Sequence, residues 1–344
     1  MQDILICKPD EALEPTEIPQ VSSRGTNDRR CDVAVVGAGI TGLTAARALA
    51  AAGLSVLVLD KGRGVGGRVA TRRIEGATVD HGAQAVDAAN AGAWAALAGG
   101  LPANVLERRT GRWIGRIGMT SVAKSLAAGL EVLTAERVLC VRGASPEHQL
   151  LLESGRVIAA RAVIVTAPVP QALELLAQGE VPLEGAETRL LEGIEYDPCL
   201  VALAVLERAP TLPDAWIEPH DETVALIANH QARGVSAIPA VTVHATPDWS
   251  TAHWEEPRDQ SAAALIAAAK PWMDAPVRVL FGHGWRYARP RAPVGGGCLV
   301  LAQAPTIVIA GDAFTSGDLG GAFRSGCAAA EAVLGKPFQS ASGE

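Results

Sequence analysis

An α/β fold (α+β overall) is predicted by three observations on the 344-residue chain. A short β-branched run, "CDVAVVGAG", ends in glycines and passes directly into the Ala/Leu-rich stretch "TGLTAARALAAAG". A second apolar run, "LSVLVLD", follows, so strand, helix and strand succeed one another as in a parallel βαβ unit. Far downstream, "APTIVIAGDA" leads into the helix-like "GAFRSGCAAAEAVLG", so sequence of the first kind brackets a stretch of different character.

Composition limits the function classes. At 49% hydrophobic the chain can bury a sizeable core and form two lobes. A formal net charge of -7 opposes nucleic acid and anionic membranes, because the overall field repels both. No run of about 18 uncharged apolar residues predicts a membrane span, and the N-terminus lacks the basic-then-apolar pattern of a leader. The six cysteines, Cys7, Cys31, Cys140, Cys199, Cys298 and Cys327, are dispersed with no C-x-x-C. Neither a disulfide framework nor a metal site is expected, and a reducing cytoplasm is the default location. A small-molecule partner and a monomer or weak homodimer are expected.

In chain order, residues 1–30 are polar and Pro-rich, a flexible tail that cannot bury enough apolar surface to order itself. The first strand starts at Cys31, and the first helix stops at Gly53, which accepts positive φ without penalty. "LEVLTAERVLCVRG" and "LLLESGRVIAARAVIVTAP" are expected as short strands, and "PQALELLAQ" as a helix. From about residue 172 strand-like "CLVALAVLE" and "PAVTVHATP" alternate with the helical "SAAALIAAAKPWM". The expected division gives 31–85, 118–171 and 284–336 to a discontinuous nucleotide-binding lobe with a parallel sheet. Residues 86–117 and 172–283 form a substrate lobe of mixed sheet and helix, and 337–344 a C-terminal tail.

Gly37-Ala38-Gly39-Ile40-Thr41-Gly42 is G-x-G-x-x-G placed between a strand and a helix. Its first glycine permits the tight turn, its second lets backbone approach a pyrophosphate, and its third lets the helix pack on the strand. Phosphate charge then meets free N–H groups and the positive end of the helix dipole. Asp60, closing the second strand, is placed to hydrogen-bond a ribose diol, with Lys61 beside it. Turn glycines in an alanine-rich chain are the plainer reading, and the combination of strand, helix and acid outweighs it.

The stretch "DKGRGVGGRVATRR", Asp60 to Arg73, continues the site. Paired glycines expose N–H groups to an anion, and a guanidinium supplies fixed bidentate charge. This stretch resembles the second glycine motif of flavoproteins of the amine-oxidase type. The resemblance implies non-covalent FAD, with Gly66, Gly67 and Arg68 near its phosphates; Arg72 and Arg73 divide evenly between cofactor shell and surface. With "DHGAQ", "YDPCLVALAVLE", "HATPDWSTAHWEE" and "GHGWRYARP", the chain is similar to bacterial renalase-like NAD/FAD-dependent oxidoreductases over roughly residues 31–336. A Rossmann-like FAD-binding lobe is therefore implied. Gly82 and Ala83 adjoin the flavin on this resemblance. Val138 matches an adenine-contacting position, although core packing accounts equally well for a strand valine. "IVIAGDAFTSGDLGGAFRSG" is similar to the last FAD motif. There Asp312 holds the ribityl or phosphate region, and Gly321, Ala322 and Phe323 open a helix pointing at the flavin pyrimidine edge.

The implied activity is an oxidase that moves a hydride from a small substrate to flavin N5 and is reoxidised by O2, giving H2O2. The implied substrate is a dihydronicotinamide dinucleotide, an isomeric form of NAD(P)H. The catalytic candidates are Gln84, which could hydrogen-bond a carboxamide or flavin edge, Arg286, which could pair with a phosphate, and Trp285 and Tyr287, which could stack. Their plainer alternatives are a turn residue, a surface ion pair and core. His81, His244 and His283 are as readily structural as catalytic. Where relatives carry an aromatic residue and a hydroxyl after "GAQ", this chain has Ala85, Val86 and Asp87, which opens the substrate side. The rivals are an amine or imine oxidase, for which only Tyr196, Tyr287 and Lys270 offer cage and lysine, a desaturase of a biosynthetic intermediate, and a non-catalytic flavin-binding protein.

Overall fold

The computed structural model describes residues 29–86, 92, 100–109, 111–143, 145–212, 214–301 and 305–335. The expected tails lie almost entirely outside these residues, as does Asp87. Arg29 and Arg30, assigned to the tail from sequence, instead begin the first strand, paired with Ile158 and Ala159.

Strand β1 (Arg29–Val36), helix α1 (Ile40–Ala51) and β2 (Val56–Asp60) form the predicted βαβ unit. Gly53, at φ +88°, ends the helix as expected. Two hairpins follow, β3 (Thr71–Ile74) with β4 (Ala77–Asp80), and β5 (Leu106–Arg109) with β6 (Arg112–Gly115). Helix α2 (Thr120–Ala127) leads to β7 (Glu131–Thr134), β8 (Val138–Arg142), β9 (His148–Leu152) and β10 (Val157–Val165). Helices α3 (Val169–Gln178) and α4 (Gly185–Glu192) precede a second sheet. It consists of β11 (Tyr196–Leu206), β12 (Trp216–Ile217), β13 (Val224–Asn229), β14 (Ala240–Ala245) and β15 (Val277–Pro290), with α5 (Pro247–Ala252) and α6 (Arg258–Ala269) inserted before β15. The chain returns through β16 (Cys298–Val300) and β17 (Thr306–Ala310) to α7 (Leu319–Val333).

The first sheet runs β16-β17-β10-β1-β2-β7, with β9 and β8 joined antiparallel beside β10; along the run every pair but β16–β17 is parallel. It is apolar on both faces, as a parallel sheet covered on both sides must be. Val35, Val58, Ile164 and Val308 face one core with residues of α1, α2 and α7. Leu59, Val163 and Ile309 face the other with residues of β8, β9 and α3.

The second sheet, β12-β13-β14-β11-β15, is antiparallel throughout. Alternation along β11 divides its faces. Leu200, Ala202 and Ala204 pack with α6, while Val201, Leu203 and Val205 pack with Ile74, Ala77 and Val79 of the β3–β4 hairpin. That hairpin joins the lobes. The boundary expected between 283 and 284 falls inside β15, because this strand stays paired with β11 from Val277 to Pro290. Among the described residues no helix is long and apolar enough to cross a membrane.

Candidate functional site

Three segments distant in sequence meet at the end of β1. Gly37 turns the chain at φ +110°, and a Cβ on Gly42 would run into the Gly37 carbonyl oxygen, so α1 reaches β1 only because position 42 is glycine. Above Gly39 the space is open: nothing lies within 4 Å of where its Cβ would be. The N-terminus of α1 has no side-chain cap and no acidic residue in its first turn. Its N–H groups and dipole therefore face an open cradle for an anion. Ile40 and Thr41 are buried beneath it. Asp60 braces the loop, accepting the Ala38 N–H at 2.6 Å and the Gly62 N–H at 2.7 Å, and its two carboxylate oxygens retain acceptor capacity for a ribose. Lys61 donates to Gln171 Oε1 at 3.3 Å and so ties the end of β2 to α3.

The second glycine motif lies against the first. The Gly66 N–H donates to the Ala38 carbonyl at 2.8 Å, Gly39 bridges Gly66, and a Cβ on Gly67 would stand 3.7 Å from the Gly39 Cα. The third is fastened by Thr41, whose hydroxyl donates to the Ala322 carbonyl at 2.9 Å. Open space, an uncapped helix start and two converging glycine pairs fit the pyrophosphate of a dinucleotide.

The charged groups differ from their expected roles. Arg68 and Asp312, assigned separately to phosphate and to the ribityl region, form one bidentate pair at 2.7 and 2.8 Å, and Arg68 also donates to the Ala288 carbonyl. Both lie between the lobes, where an opposite charge offsets the cost of burial. At the start of α7, Asp318 accepts the Gly321 N–H at 2.7 Å, so this N–H is already engaged. Phe323 lines a cavity of about 510 Å³ with Thr44, Arg47, Leu126 and Cys327, between α1, α2 and α7. Val138 is a buried core residue paired with Leu152.

A wall of side chains, joined to the cradle through the Ala83–Arg68 and Arg68–Ala288 bonds, comes from β15, β14 and the turn after β4. Along "FGHGWRYA" the side chains alternate. Phe281 and Trp285 pack with the β3–β4 hairpin, whereas a Cβ on Gly282 would run into the Arg258 carbonyl and one on Gly284 would lie 3.0 Å from Trp254. The two glycines thus let α6 close on the far face. Arg286 follows the glycines to that face: its guanidinium lies 5.0 Å from the centre of the Trp254 ring and 3.9 Å from Glu255, with 59% of the side chain exposed. It is a surface ion pair, which corrects its assignment to the site. Tyr287 meets Tyr196 edge to face at 5.6 Å, and the Tyr196 hydroxyl accepts the Val169 N–H at 3.3 Å.

His81 stacks on Trp285 at 5.4 Å and meets His283 edge-on at 4.7 Å, while Trp285 Nε1 donates to the His81 carbonyl at 2.8 Å. His244 and His283 both stand opposite Val201, one on each side of β11. Burial, reinforced by His283, Arg72 and His244, pushes His81 down to about 3. Burial with Arg233 and His283 pushes His244 down to about 4. Both rings are neutral at physiological pH. Arg72 is exposed, with its guanidinium 4.6 Å above the Phe281 ring, and Arg73 is exposed nearby.

Gln84 is a second correction. Its amide donates to the Asp80 and Gly82 carbonyls at 2.8 and 3.0 Å and accepts from Arg233 at 2.6 Å, so its polar atoms serve the turn rather than a ligand. Gly82 and Ala83 lie flat on the second glycine motif: the Ala83 N–H donates to the Arg68 carbonyl at 2.8 Å, and a Cβ on Gly82 would run into that same oxygen. Sequence reasoning left His81 and His283 undecided and missed Asp80 and Arg233. The period-2 pattern of "GHGWRY" carried the signal for His283; nothing local marked Arg233.

Residues 101–334 match the family model described as flavin containing amine oxidoreductase, and residues 35–100 match that of the NAD(P)-binding Rossmann-like domain. Among solved structures, putrescine oxidase bound to putrescine is similar at 16% identity with a TM-score of 0.69, covering 90% of this chain and 100% of that one. A double mutant of putrescine oxidase is similar at 15% with a TM-score of 0.70, covering 90% and 100%. A protein of Exiguobacterium sp. 255-15 with a provisional protoporphyrinogen oxidase assignment is similar at 15% and 0.69, covering 91% and 99%. At these identities the structural likeness carries the fold, and the family match carries the cofactor. The chain belongs to the flavin-containing amine oxidoreductases and is an FAD-dependent enzyme of that family.

Proposed function

We propose that this oxidoreductase is renalase-like, removing a hydride from a dihydronicotinamide, an isomeric form of NAD(P)H, with O2 as the final acceptor. One dihydronicotinamide, one O2 and one proton then give the nicotinamide cation and H2O2. The carrying observation is the His81 ring, neutral at physiological pH and stacked on Trp285, with the Asp80 carboxylate neutralised by Arg233 at 3.0 Å and the Asp312 carboxylate by Arg68 at 2.7 Å. A protonated amine meets no unpaired carboxylate in that group, whereas a neutral planar ring gains a stacking surface. Imidazoles held at about 3 and about 4 are too weak to retain a substrate proton near pH 7. A dihydronicotinamide needs no such base, because loss of hydride itself leaves an aromatic cation.

Bound FAD supplies the hydride acceptor. On this reading Gly39, Gly42, Gly66 and Gly67 hold its pyrophosphate on backbone N–H groups, and Asp60 holds a ribose. Trp285 and His81 orient the substrate ring and keep water from it. Arg72, an exposed cation beside His81, suits a substrate phosphate at the rim. Residues 31–85, 118–171 and 284–336 would serve the cofactor and 86–117 and 172–283 the substrate, with β15 contributing to both, in a reducing cytoplasm.

The edge-to-face pair of Tyr196 and Tyr287 favours a second reading, an amine oxidase with an aromatic cage. Lys270, the lysine considered for it, is exposed where α6 ends. The two readings separate on anaerobic mixing of the FAD-loaded protein with dihydronicotinamide isomers, NADH and amines. Rapid bleaching of the flavin band by the isomers, with peroxide appearing when air is readmitted, is expected; bleaching by amines alone overturns the proposal.

A further inference from the structure

Arg233 is fully buried, and its charge faces that of Asp80, also fully buried, at 3.0 Å. Its partners come from both lobes. One guanidinium nitrogen donates to Asp80 and to the Gln84 carbonyl, and the other donates to Gln84 Oε1 at 2.6 Å and to His230 Nδ1 at 3.1 Å. The Thr242 hydroxyl donates its one hydrogen to the Asp80 carbonyl at 2.7 Å, so it accepts from His230 Nε2 at 2.8 Å. This fixes His230 as the tautomer whose Nδ1 lone pair receives Arg233. The loop after β13 is shaped to present the guanidinium. Asn229 Oδ1 accepts the N–H groups of Gln231 and Ala232 at 3.1 Å, the Arg233 N–H returns to the Asn229 carbonyl at 3.0 Å, and Gly234 turns away at φ +72°.

What Arg233 grips is the turn that connects the two walls. Through Gln84 it fixes the carbonyl of Gly82, and the Ala83 N–H of that turn bonds the Arg68 carbonyl, next to Gly66 and Gly67. The His81 carbonyl of the turn is held by Trp285. Gly82 has no room for a Cβ over Arg68, so displacement of the turn passes directly to the second glycine motif. Asp80 in turn accepts the Thr71 hydroxyl at 2.6 Å and the Met119 N–H at 2.8 Å, which anchors the far side of the grip.

We propose that Arg233 is a positioning residue for the flavin site: from the second lobe it holds the His81–Gln84 turn against the Gly66–Arg68 segment, and thereby sets the spacing between the cofactor cradle and the His81–Trp285 wall. This goes beyond the substrate reading and does not depend on it, because FAD alone is the probe.

Two variants test it in the full chain. Gln84→Met leaves the Asp80–Arg233 pair and the bond from Arg233 to the residue 84 carbonyl in place, and cuts the side-chain link from Arg233 through Gln84 to the Gly82 carbonyl. Arg233→Lys keeps a positive charge beside Asp80 but lacks the planar fork that reaches Asp80 and Gln84 together. Each apoprotein is titrated with FAD, followed by flavin fluorescence, and the visible band of the bound flavin is recorded. Both variants are expected to bind FAD about tenfold more weakly than the parent and to shift that band, since small misplacements of a site are costly. The double variant Asp80→Asn with Arg233→Met leaves no buried lone charge and is expected to show the same weakening. Parental FAD affinity and an unshifted band in Gln84→Met and Arg233→Lys, with only the melting temperature lowered, overturn the proposal.

Discussion

The cofactor cradle is made of backbone from stretches a few residues long, Gly37–Gly42 and Gly66–Arg68, whereas the wall joined to it is made of side chains gathered from β14, β15 and the turn after β4. The cradle offers N–H groups and empty space, which suit an anion. The wall offers ring faces and the neutral imidazoles of His81 and His244, which on the proposed reading meet the substrate. A backbone site tolerates no added Cβ at its close approaches, while a side-chain site changes by degrees. Substitutions on the two sides should therefore fail differently.

The largest expected effect is on the cradle. A Cβ on Gly42 meets the Gly37 carbonyl, which is backbone and cannot yield without opening the turn from β1 into α1. Gly42→Ala is expected to weaken FAD binding on the order of a hundredfold, the scale that misplacement of a site reaches. Titration of the apoprotein with FAD checks it, and a parental dissociation constant would show that the cradle is looser than its geometry.

Why the cradle was legible in the sequence and the wall was not follows from the same contrast. Each glycine motif carries its reason locally: a strand, a turn needing positive φ, and a helix start lie within a dozen residues. Asp60 also stood where its strand placed it. Arg68 and Asp312 were both recognised, but their union was not, because 244 positions separate them and only the packed lobes bring them to 2.7 Å. Arg286 was misplaced for want of a simpler rule, that neighbours on a strand point to opposite faces. Arg233 had no local mark at all, since a buried arginine is identified by its partners and Asp80 lies 153 positions away.

On the wall, the expected response is to acid. His81 at about 3 and His244 at about 4 refuse protons in the folded chain that the unfolded chain takes up below about pH 6.5. Their neutral forms are therefore matched between the two states above pH 6.5, and as the pH falls toward 4 protonation favours the unfolded state. One imidazole contributes a loss of up to about 1.4 kcal/mol per pH unit in that window. Urea unfolding should show a lower midpoint at pH 5 than at pH 7. In His244→Phe the difference between the two should shrink; a difference as large as the parent's would mean that other groups set the acid limit.

The smallest expected effect separates two adjacent residues. Trp285→Ala removes the ring stacked on His81 and the Nε1 bond to the His81 carbonyl, so bleaching of bound flavin by substrate should slow about tenfold, the equivalent of one lost buried hydrogen bond, with FAD still retained. Arg286→Ala, one position along β15, removes a guanidinium that lies over Trp254 on the opposite face and reaches Glu255 only at 3.9 Å. An exposed pair of that kind is worth at most about 1 kcal/mol, so stability should change little and bleaching not at all. Stopped-flow reduction of the two variants side by side decides it. Equal slowing in both would mean that Arg286 reaches the substrate after all, and that alternation along β15 does not divide the wall from the surface.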